Sequence, residues 1–266
     1  MAPRDLPKDQ ATAQGRERAL AAWLGARGSV LIGYSGGVDS AYLAAVAVEA
    51  LGPTRVIGVI GRSPSYPASQ WIAAREVAVA IGLPVRELAT NELDDPRYAA
   101  NPSNRCYFCK TELWSRLVPL ARELGIEGVV DGTNADDVRV HRPGLRAARE
   151  WGVASPLAEV GLTKAEIRLL SAWRGLPTSD QPSSPCLSSR LPTGTQVTPL
   201  RLAKVEAAER AVRALGIRGD LRVRGADACQ RGRGLERPRG RGRRAPLDPG
   251  LRDPGAAFAQ PAVVAG

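Results

Sequence analysis

Six residues, Ser35-Gly36-Gly37-Val38-Asp39-Ser40, follow directly on the apolar run Val30-Leu31-Ile32-Gly33. The order predicts a buried strand, a turn with two glycines, and a helix starting at Val38 or Asp39. Glycine accepts positive φ and lets backbone approach a ligand closely. The first N–H groups of a helix have no intrahelical partner, so such a turn is a cradle for anions. Ser35 and Ser40 add hydroxyl donors, and Asp39 puts a carboxylate where a Mg²⁺ ion would bridge it to a phosphate. The alternative is an ordinary strand–turn–helix with a Ser-Gly turn.

Three cysteines form the second chemical group. Cys106 and Cys109 lie in Asn104-Arg105-Cys106-Tyr107-Phe108-Cys109-Lys110, and Cys186 lies in Ser183-Ser184-Pro185-Cys186-Leu187-Ser188-Ser189-Arg190. The C-x-x-C spacing puts two sulfurs at the start of one helix, where the dipole, Arg105 and Lys110 favour thiolates. Cys186 follows a proline in a polar loop near Arg190, a setting for a nucleophilic thiol. Three readings stay open. The cysteines are two buried helix residues and a stray one, or three of the four ligands of a zinc site. Otherwise they hold a [4Fe–4S] cluster with one open iron, or Cys186 gives up its own sulfur. His141, beside Arg139 and Arg142, reads as a surface residue, and Cys229 is given no role.

These groups need a scaffold, and hydrophobic patterning predicts an α/β one. Strands are expected at Val30–Ile32, Val56–Ile60, Val85–Leu88 and Val129–Asp131. Helices are expected at Arg16–Gly25, Ser40–Leu51, from Tyr66-Pro67 to Ile81, Cys106–Leu124 and Lys164–Trp173. Thr163 and Glu166 form a capping box before the last of these. Asn91–Arg105, with Pro96 and Pro102, reads as a loop. Alternation of strand and helix implies a parallel sheet covered on both faces, with ligands beyond the carboxyl ends of its strands. Ser63 ends the second strand. Asp131-Gly132-Thr133-Asn134-Ala135-Asp136-Asp137 ends the fourth, and Asp131, Thr133, Asn134 and Asp136 are candidates for Mg²⁺ or substrate. A plain turn capped by its own Asn and Asp side chains is the alternative.

A second region starts near Arg190. Leu200–Leu215 reads as a helix, and Leu221-Arg222-Val223-Arg224 as a strand with its arginines on one face. Residues 225–266 then hold eight Gly and five Pro with Arg-Gly alternation, and are expected to be disordered. A strand that leads into Arg-Gly-Arg-Gly suggests that a change of reading frame replaced the C-terminus. The expected organisation is therefore 1–15 flexible, 16–190 nucleotide-binding, 191–224 the start of a substrate or oligomerisation domain, and 225–266 a tail.

The net charge of +10 invites a nucleic-acid reading, but +4 of it lies in 225–266. The other 224 residues carry 29 basic and 23 acidic side chains, which suits a phosphate-binding protein without demanding a polynucleotide. No apolar run approaches the ~20 residues of a membrane span. The polar Met1–Gln14 is not expected to be a signal peptide. Four cysteines are too few for a disulfide scaffold, so a reducing cytoplasm is expected.

The segment 35–40 lacks the lysine of a Walker P-loop. It resembles the PP-loop, S-G-G-x-D-S, of ATP pyrophosphatases. Asn101-Pro102, Arg105 to Lys110, Asp131 to Asp137, Arg142-Pro143-Gly144 and Ser184-Pro185-Cys186-Leu187-x-Ser189-Arg190 follow in that order. Together, across residues 15–224, they resemble the LarE-type ATP-dependent sulfur transferases of the PP-loop, or adenine nucleotide alpha-hydrolase, superfamily. The resemblance implies a Rossmann-like domain and a role in making the nickel-pincer nucleotide of lactate racemase. Its substrate would be pyridinium-3,5-biscarboxylic acid mononucleotide. ATP would adenylylate a carboxylate, and a sulfur nucleophile would displace AMP. In one branch the sulfur comes from the cysteine matching Cys186, which ends as dehydroalanine. In another, three cysteines matching Cys106, Cys109 and Cys186 hold a [4Fe–4S] cluster that carries an extra sulfide.

Ser63 is a candidate contact for adenosine. Arg142, Arg190, Arg222 and Arg224 are candidates for gripping phosphate or carboxylates, since Arg binds both bidentately. Acidic residues of the second region are implied too, with Glu206 and Glu209 as candidates. The resemblance also implies a homo-oligomer assembled through ordered structure past Arg224, where this chain departs. A tRNA thiolase with a PP-loop and an iron–sulfur cluster is the runner-up, and a non-catalytic nucleotide-binding or iron–sulfur carrier protein is a third class.

Overall fold

The computed structural model describes residues 8–140, 142–216 and 222–224, with side chains described from residue 11 onward. The reading of His141, that of Cys229, and the disordered, frame-shifted tail over 225–266 lie outside the described residues. All the described residues belong to one compact unit.

Four parallel strands form one sheet in the order β3-β2-β1-β4: β1 Val30–Gly33, β2 Val56–Arg62, β3 Val85–Ala89 and β4 Gly128–Asp131. β1 is central. Val30 pairs with Val56 on one side and Gly128 on the other. Nine helices accompany the sheet among the described residues. They are α1 Lys8–Gly25, α2 Val38–Leu51, α3 Ala68–Ala80, α4 Pro96–Ala99, α5 Arg105–Glu123, α6 Pro143–Glu150, α7 Pro156–Glu159, α8 Lys164–Trp173 and α9 Pro199–Ala214.

The sheet is covered on both faces, as continuous apolar strands require. On one face Val30 and Ile32 pack with Leu20 and Leu24 of α1, Tyr42 and Leu43 of α2 and Ile167 of α8. On the other, Leu31 and Val59 pack with Trp114 and Leu117 of α5 and Ala147 of α6. Trp114 is fully buried, and its ring lies so close to Gly33 that a Cβ there would sit 2.6 Å from it. A third cluster joins Tyr98 of α4 to Leu187, Leu191, Leu202 and Val205.

Several boundaries differ from the sequence reading. α1 begins at Lys8, eight residues early, because Ala13 turns the same buried face inward as Leu20 and Leu24. Asn91–Arg105 is not a simple loop. It holds a 3-10 turn at Glu92–Asp94 and α4, whose Pro96 occupies the first turn while Asp95 caps the Arg97 N–H at 2.9 Å. Residues 222–224 are not in a strand. The capping box of α8 is present as expected.

Candidate active site

The PP-loop residues sit beyond the carboxyl end of the central strand. Gly36 has φ +69°, and a Cβ on it would run into the backbone of Ala74, so only glycine fits. Gly37 is the N-cap of α2 and has no side-chain cap, which leaves the first N–H groups of a 14-residue helix for a ligand. A Cβ at Gly37 would meet only Ser35 Oγ, at 3.6 Å, so the space above the turn is open. Ser40 is buried and shapes the loop. Its Oγ accepts from the Ser35 N–H at 3.3 Å, donates to the Gly37 carbonyl at 3.1 Å and lies 3.2 Å from Ser35 Oγ.

Asp39 lies against the loop after β4. Its carboxylate accepts from Asn134 Nδ2 at 3.3 Å and pairs with Lys164 Nζ at 2.5 Å. Gly132 presses on the same turn, where a Cβ would stand 2.9 Å from Ser40 N. Burial pushes the Asp137 carboxyl up. The Asn134 N–H, Arg142 and Lys164 oppose that shift, and the neighbouring Asp39 carboxylate adds to it. Asp39 is the residue that would hold Mg²⁺, as one carboxylate completed by substrate phosphates.

The other residues of this loop are committed to its shape. Asp131 accepts from the Thr133 N–H at 3.1 Å, the Thr133 hydroxyl at 2.9 Å and the Ser155 hydroxyl at 2.8 Å. Asn134 Oδ1 accepts from the N–H groups of Asp136 and Asp137, and Asp136 accepts from the Lys164 N–H at 2.8 Å. Thr133 and Asp136 thus take part in turn and helix caps. Of these four side chains, that of Asn134 bonds to the PP-loop, at Asp39. Ser63, at the end of β2, donates to Glu92 Oε1 at 2.5 Å.

The thiol loop is built by different means. Cys186 Sγ lies 4.0 Å from Arg105 Nη2. Arg105 is itself held by Asn101 Oδ1 and, at 3.0 Å, by the Ser188 carbonyl. Asn101 adopts φ +55°, which Asn tolerates better than most residues. Arg190 is only 2% exposed. It pairs with Glu209 of α9 at 2.8 Å and donates to the carbonyls of Pro185 and Cys186. Buried and bonded at all three nitrogens, Arg190 clamps the loop, a role the sequence did not suggest beside that of gripping a substrate. Glu209 also accepts from the Val223 N–H at 3.3 Å, and Arg222 reaches the Ser183 carbonyl at 3.5 Å. Arg222 is therefore brought to the thiol loop, and Arg224, two residues on, is exposed. Arg142 instead pairs with Asp137 at 2.7 Å. Glu206 accepts from the Ala68 N–H at 2.6 Å, at the start of α3.

Turn 63–66 connects the two halves. Tyr66 donates to the Ser35 carbonyl at 2.9 Å, and the Ser65 carbonyl accepts from the Leu187 N–H at 2.8 Å. Behind it, the hydroxyls of Ser65, Tyr98 and Ser188 close a buried ring with separations of 2.7, 2.7 and 3.1 Å.

At Cys186 and Cys109, burial opposes the thiolate form that their cationic neighbours favour. Burial raises the Cys186 pKa. Arg105 offsets this in part, and Cys106 adds to it. Burial likewise pushes Cys109 up, reinforced by the Glu92 carboxylate and Cys186. Desolvation outweighs the cations because both sulfurs are packed among protein atoms. Cys106 is exposed. The three thiols are neighbours, but among the described residues no three His, Cys, Asp or Glu side chains converge as ligands of one ion.

Lys164, Glu92 and Tyr66 were missed by sequence reasoning. Lys164 had one available signal, its place just after the Thr163 cap of a helix that follows the Asp131–Asp137 segment. Glu92 and Tyr66 had none.

Residues 21–104 match the NAD synthase family. An uncharacterized protein of Synechocystis sp. is 47% identical over 73% of this chain and 72% of its own length. The pyridinium-3,5-bisthiocarboxylic acid mononucleotide synthase of Lactiplantibacillus plantarum is 32% identical over 77% of this chain and 75% of its own length. An uncharacterized protein of Methanocaldococcus jannaschii is 29% identical over 73% of each. No helix among the described residues is long and apolar enough to cross a membrane.

Proposed function

The chain belongs to the LarE-type family of PP-loop enzymes, which carry out ATP-utilising sulfur transfer, and from that premise we propose that it thiolates pyridinium-3,5-biscarboxylic acid mononucleotide. A substrate carboxylate oxygen attacks the α-phosphorus of ATP, and pyrophosphate leaves. The N–H groups at Gly37–Asp39, the Ser35 hydroxyl and Lys164 are the donors placed to receive that charge. The acyl-adenylate is the electrophile that a carboxylate is not.

Cys186 supplies the sulfur. Its thiol loses a proton, Sγ bonds to the acyl carbon, and AMP departs with the electron pair. Loss of the Cys186 α-proton then breaks Cβ–Sγ, leaving thiocarboxylate on the product and dehydroalanine in the chain. The observation that carries this reading is the placement of the Cys186 loop. A buried Arg190–Glu209 pair holds it, and turn 63–66 ties it to the PP-loop. The start of a second region at 191–224 serves, on this reading, to anchor that loop and to bring up Arg222 and Arg224 for the substrate's acidic groups. The reaction has a cytoplasmic setting and small-molecule partners.

Incubation with substrate and MgATP should release pyrophosphate and AMP, and mass spectrometry should find Cys186 lighter by the mass of H₂S. Cys186→Ala should abolish thiolation yet still form pyrophosphate. An unchanged Cys186 after turnover, with iron that is lost in Cys106→Ala, would move the sulfur source to a cluster. Pyrophosphate release that requires tRNA would replace the substrate.

A further inference from the structure

An open cavity of about 660 Å³ lies between the first turn of α5 and the segment from Val138 into α6. Arg139, Arg142, Arg146 and Arg149 line it, with the rings of Tyr107 and Phe108. Its size is in the range of small-molecule sites, ~300–1,000 Å³. No acidic residue lines it among the described residues. Three of the arginines are partly neutralised from outside the cavity. Arg139 has Asp136 at 3.8 Å, Arg142 has Asp137 at 2.7 Å, and Arg146 has Glu150 at 2.7 Å. The Arg149 guanidinium has no hydrogen-bond or ion-pair partner among the described residues.

A solvated arginine face on a convex surface would mean little. Here the arginines share a concavity with two aromatic rings, packed edge to face at 5.5 Å, and with the exposed apolar side chains Val138 and Val140. Guanidinium groups bind phosphate and carboxylate bidentately, and they stack on flat rings, as Arg146 does over Tyr107 at 5.1 Å. That combination fits a ligand with a phosphate, acidic substituents and an aromatic plane. The cavity also adjoins the chemistry. Tyr107 follows the exposed Cys106, and Arg142 is tied through Asp137 to the Asn134 that contacts Asp39.

We infer that this cavity seats the phosphate and ring of an aromatic carboxylate ribonucleoside monophosphate, with Arg149 as the principal phosphate ligand. The inference rests on the mononucleotide substrate proposed above, and it adds a location and the residues Arg139, Arg146, Arg149, Tyr107 and Phe108.

Calorimetric titration of the full chain, without ATP, tests it. The probe is nicotinic acid mononucleotide, and its riboside is the dephosphorylated control. Arg149→Ala should weaken mononucleotide binding at least about tenfold, as loss of a charge-assisted pair implies. Arg122→Ala, which removes an exposed arginine elsewhere on α5, should change it less than about twofold. Riboside affinity should be the same in wild type and Arg149→Ala. No binding by wild type, or equal losses in the two variants, would overturn the inference. Pyrophosphate release on the dicarboxylate, with an unchanged KM in Arg149→Ala, would remove the cavity and spare the sulfur transfer. Arg149-dependent binding without pyrophosphate release would support the cavity as a mononucleotide site and remove the proposed reaction.

Discussion

The PP-loop and the thiol loop face related tasks but are made in opposite ways. The PP-loop takes its backbone shape mostly from local features: one positive-φ glycine, a helix N-terminus and a serine five residues from its partner, with Tyr66, Asn134 and Lys164 bracing it from a distance. The thiol loop is assembled from afar. Arg190 reaches Glu209 nineteen residues on, Arg105 reaches Ser188 across 83, and Tyr98 reaches Ser188 across 90. A phosphate cradle needs backbone N–H groups, which a strand–turn–helix supplies with any suitable short sequence. A nucleophile in a loop needs side chains to hold the loop, and these must come from other elements.

That difference predicts unequal responses to substitution. The largest effect should follow Arg190→Ala. Glu209 would be left buried and unpaired, and the Cys186 loop would lose its clamp. Breaking a buried pair in this way costs about 3–5 kcal/mol, to be read as a lower denaturant midpoint. An Arg190→Met, Glu209→Met double variant should recover much of the stability but not the thiolation. If the single variant unfolds like wild type, the contrast between the two loops collapses.

Lys164→Ala comes next. Its ammonium pairs with Asp39 in the first turn of α2, so pyrophosphate formation should fall roughly tenfold or more. The denaturant midpoint should hardly move, since the pair is partly exposed and such pairs are worth ~1 kcal/mol or less. A midpoint shift as large as that of Arg190→Ala would show that the cradle also depends on distant pairing.

A smaller effect concerns pH. The Cys186 pKa is raised, so the thiol is the major form at neutral pH and thiolation should climb as pH rises through the alkaline range. Arg105 lowers that pKa. Arg105→Ala should therefore move the rate profile to higher pH, and Arg105→Lys should leave it in place. Pyrophosphate release should show no such displacement, because no thiol takes part in it. Single-turnover rates of the two half-reactions against pH would separate them.

The smallest effect should be that of Thr163→Ala, which removes the cap of α8 at a cost of about 1 kcal/mol. Asp136 would still accept from the Lys164 N–H, so pyrophosphate formation should change less than about twofold.

Much of the architecture was legible in the sequence, and the reason is periodicity. The parallel sheet, its four strands and the helices 38–51, 105–123 and 164–173 follow from apolar runs and caps that act over a few residues. The turn geometry was legible where it is local, at Ser35, Gly36, Gly37, Asp39 and Ser40. The partners of side chains were not legible where distance matters. Arg190 resembled a free cation because Glu209 is invisible as its partner. The cysteines resembled thiolates because charge can be read along the chain and burial cannot. Segment 91–105 resembled a loop because its prolines hide a one-turn helix whose Tyr98 belongs to a cluster completed a hundred residues later.

The hydroxyl ring of Ser65, Tyr98 and Ser188 bears on how the alkaline experiment should be run. Burial pushes the Tyr98 phenol well above its usual range, with Cys186 adding to the shift and the two serine hydroxyls opposing it. Each of the three oxygens can give one proton and take one, so the ring closes on itself without water. The latch therefore stays protonated in mildly basic buffer, so its hold on the thiol loop does not loosen while a rate curve is collected.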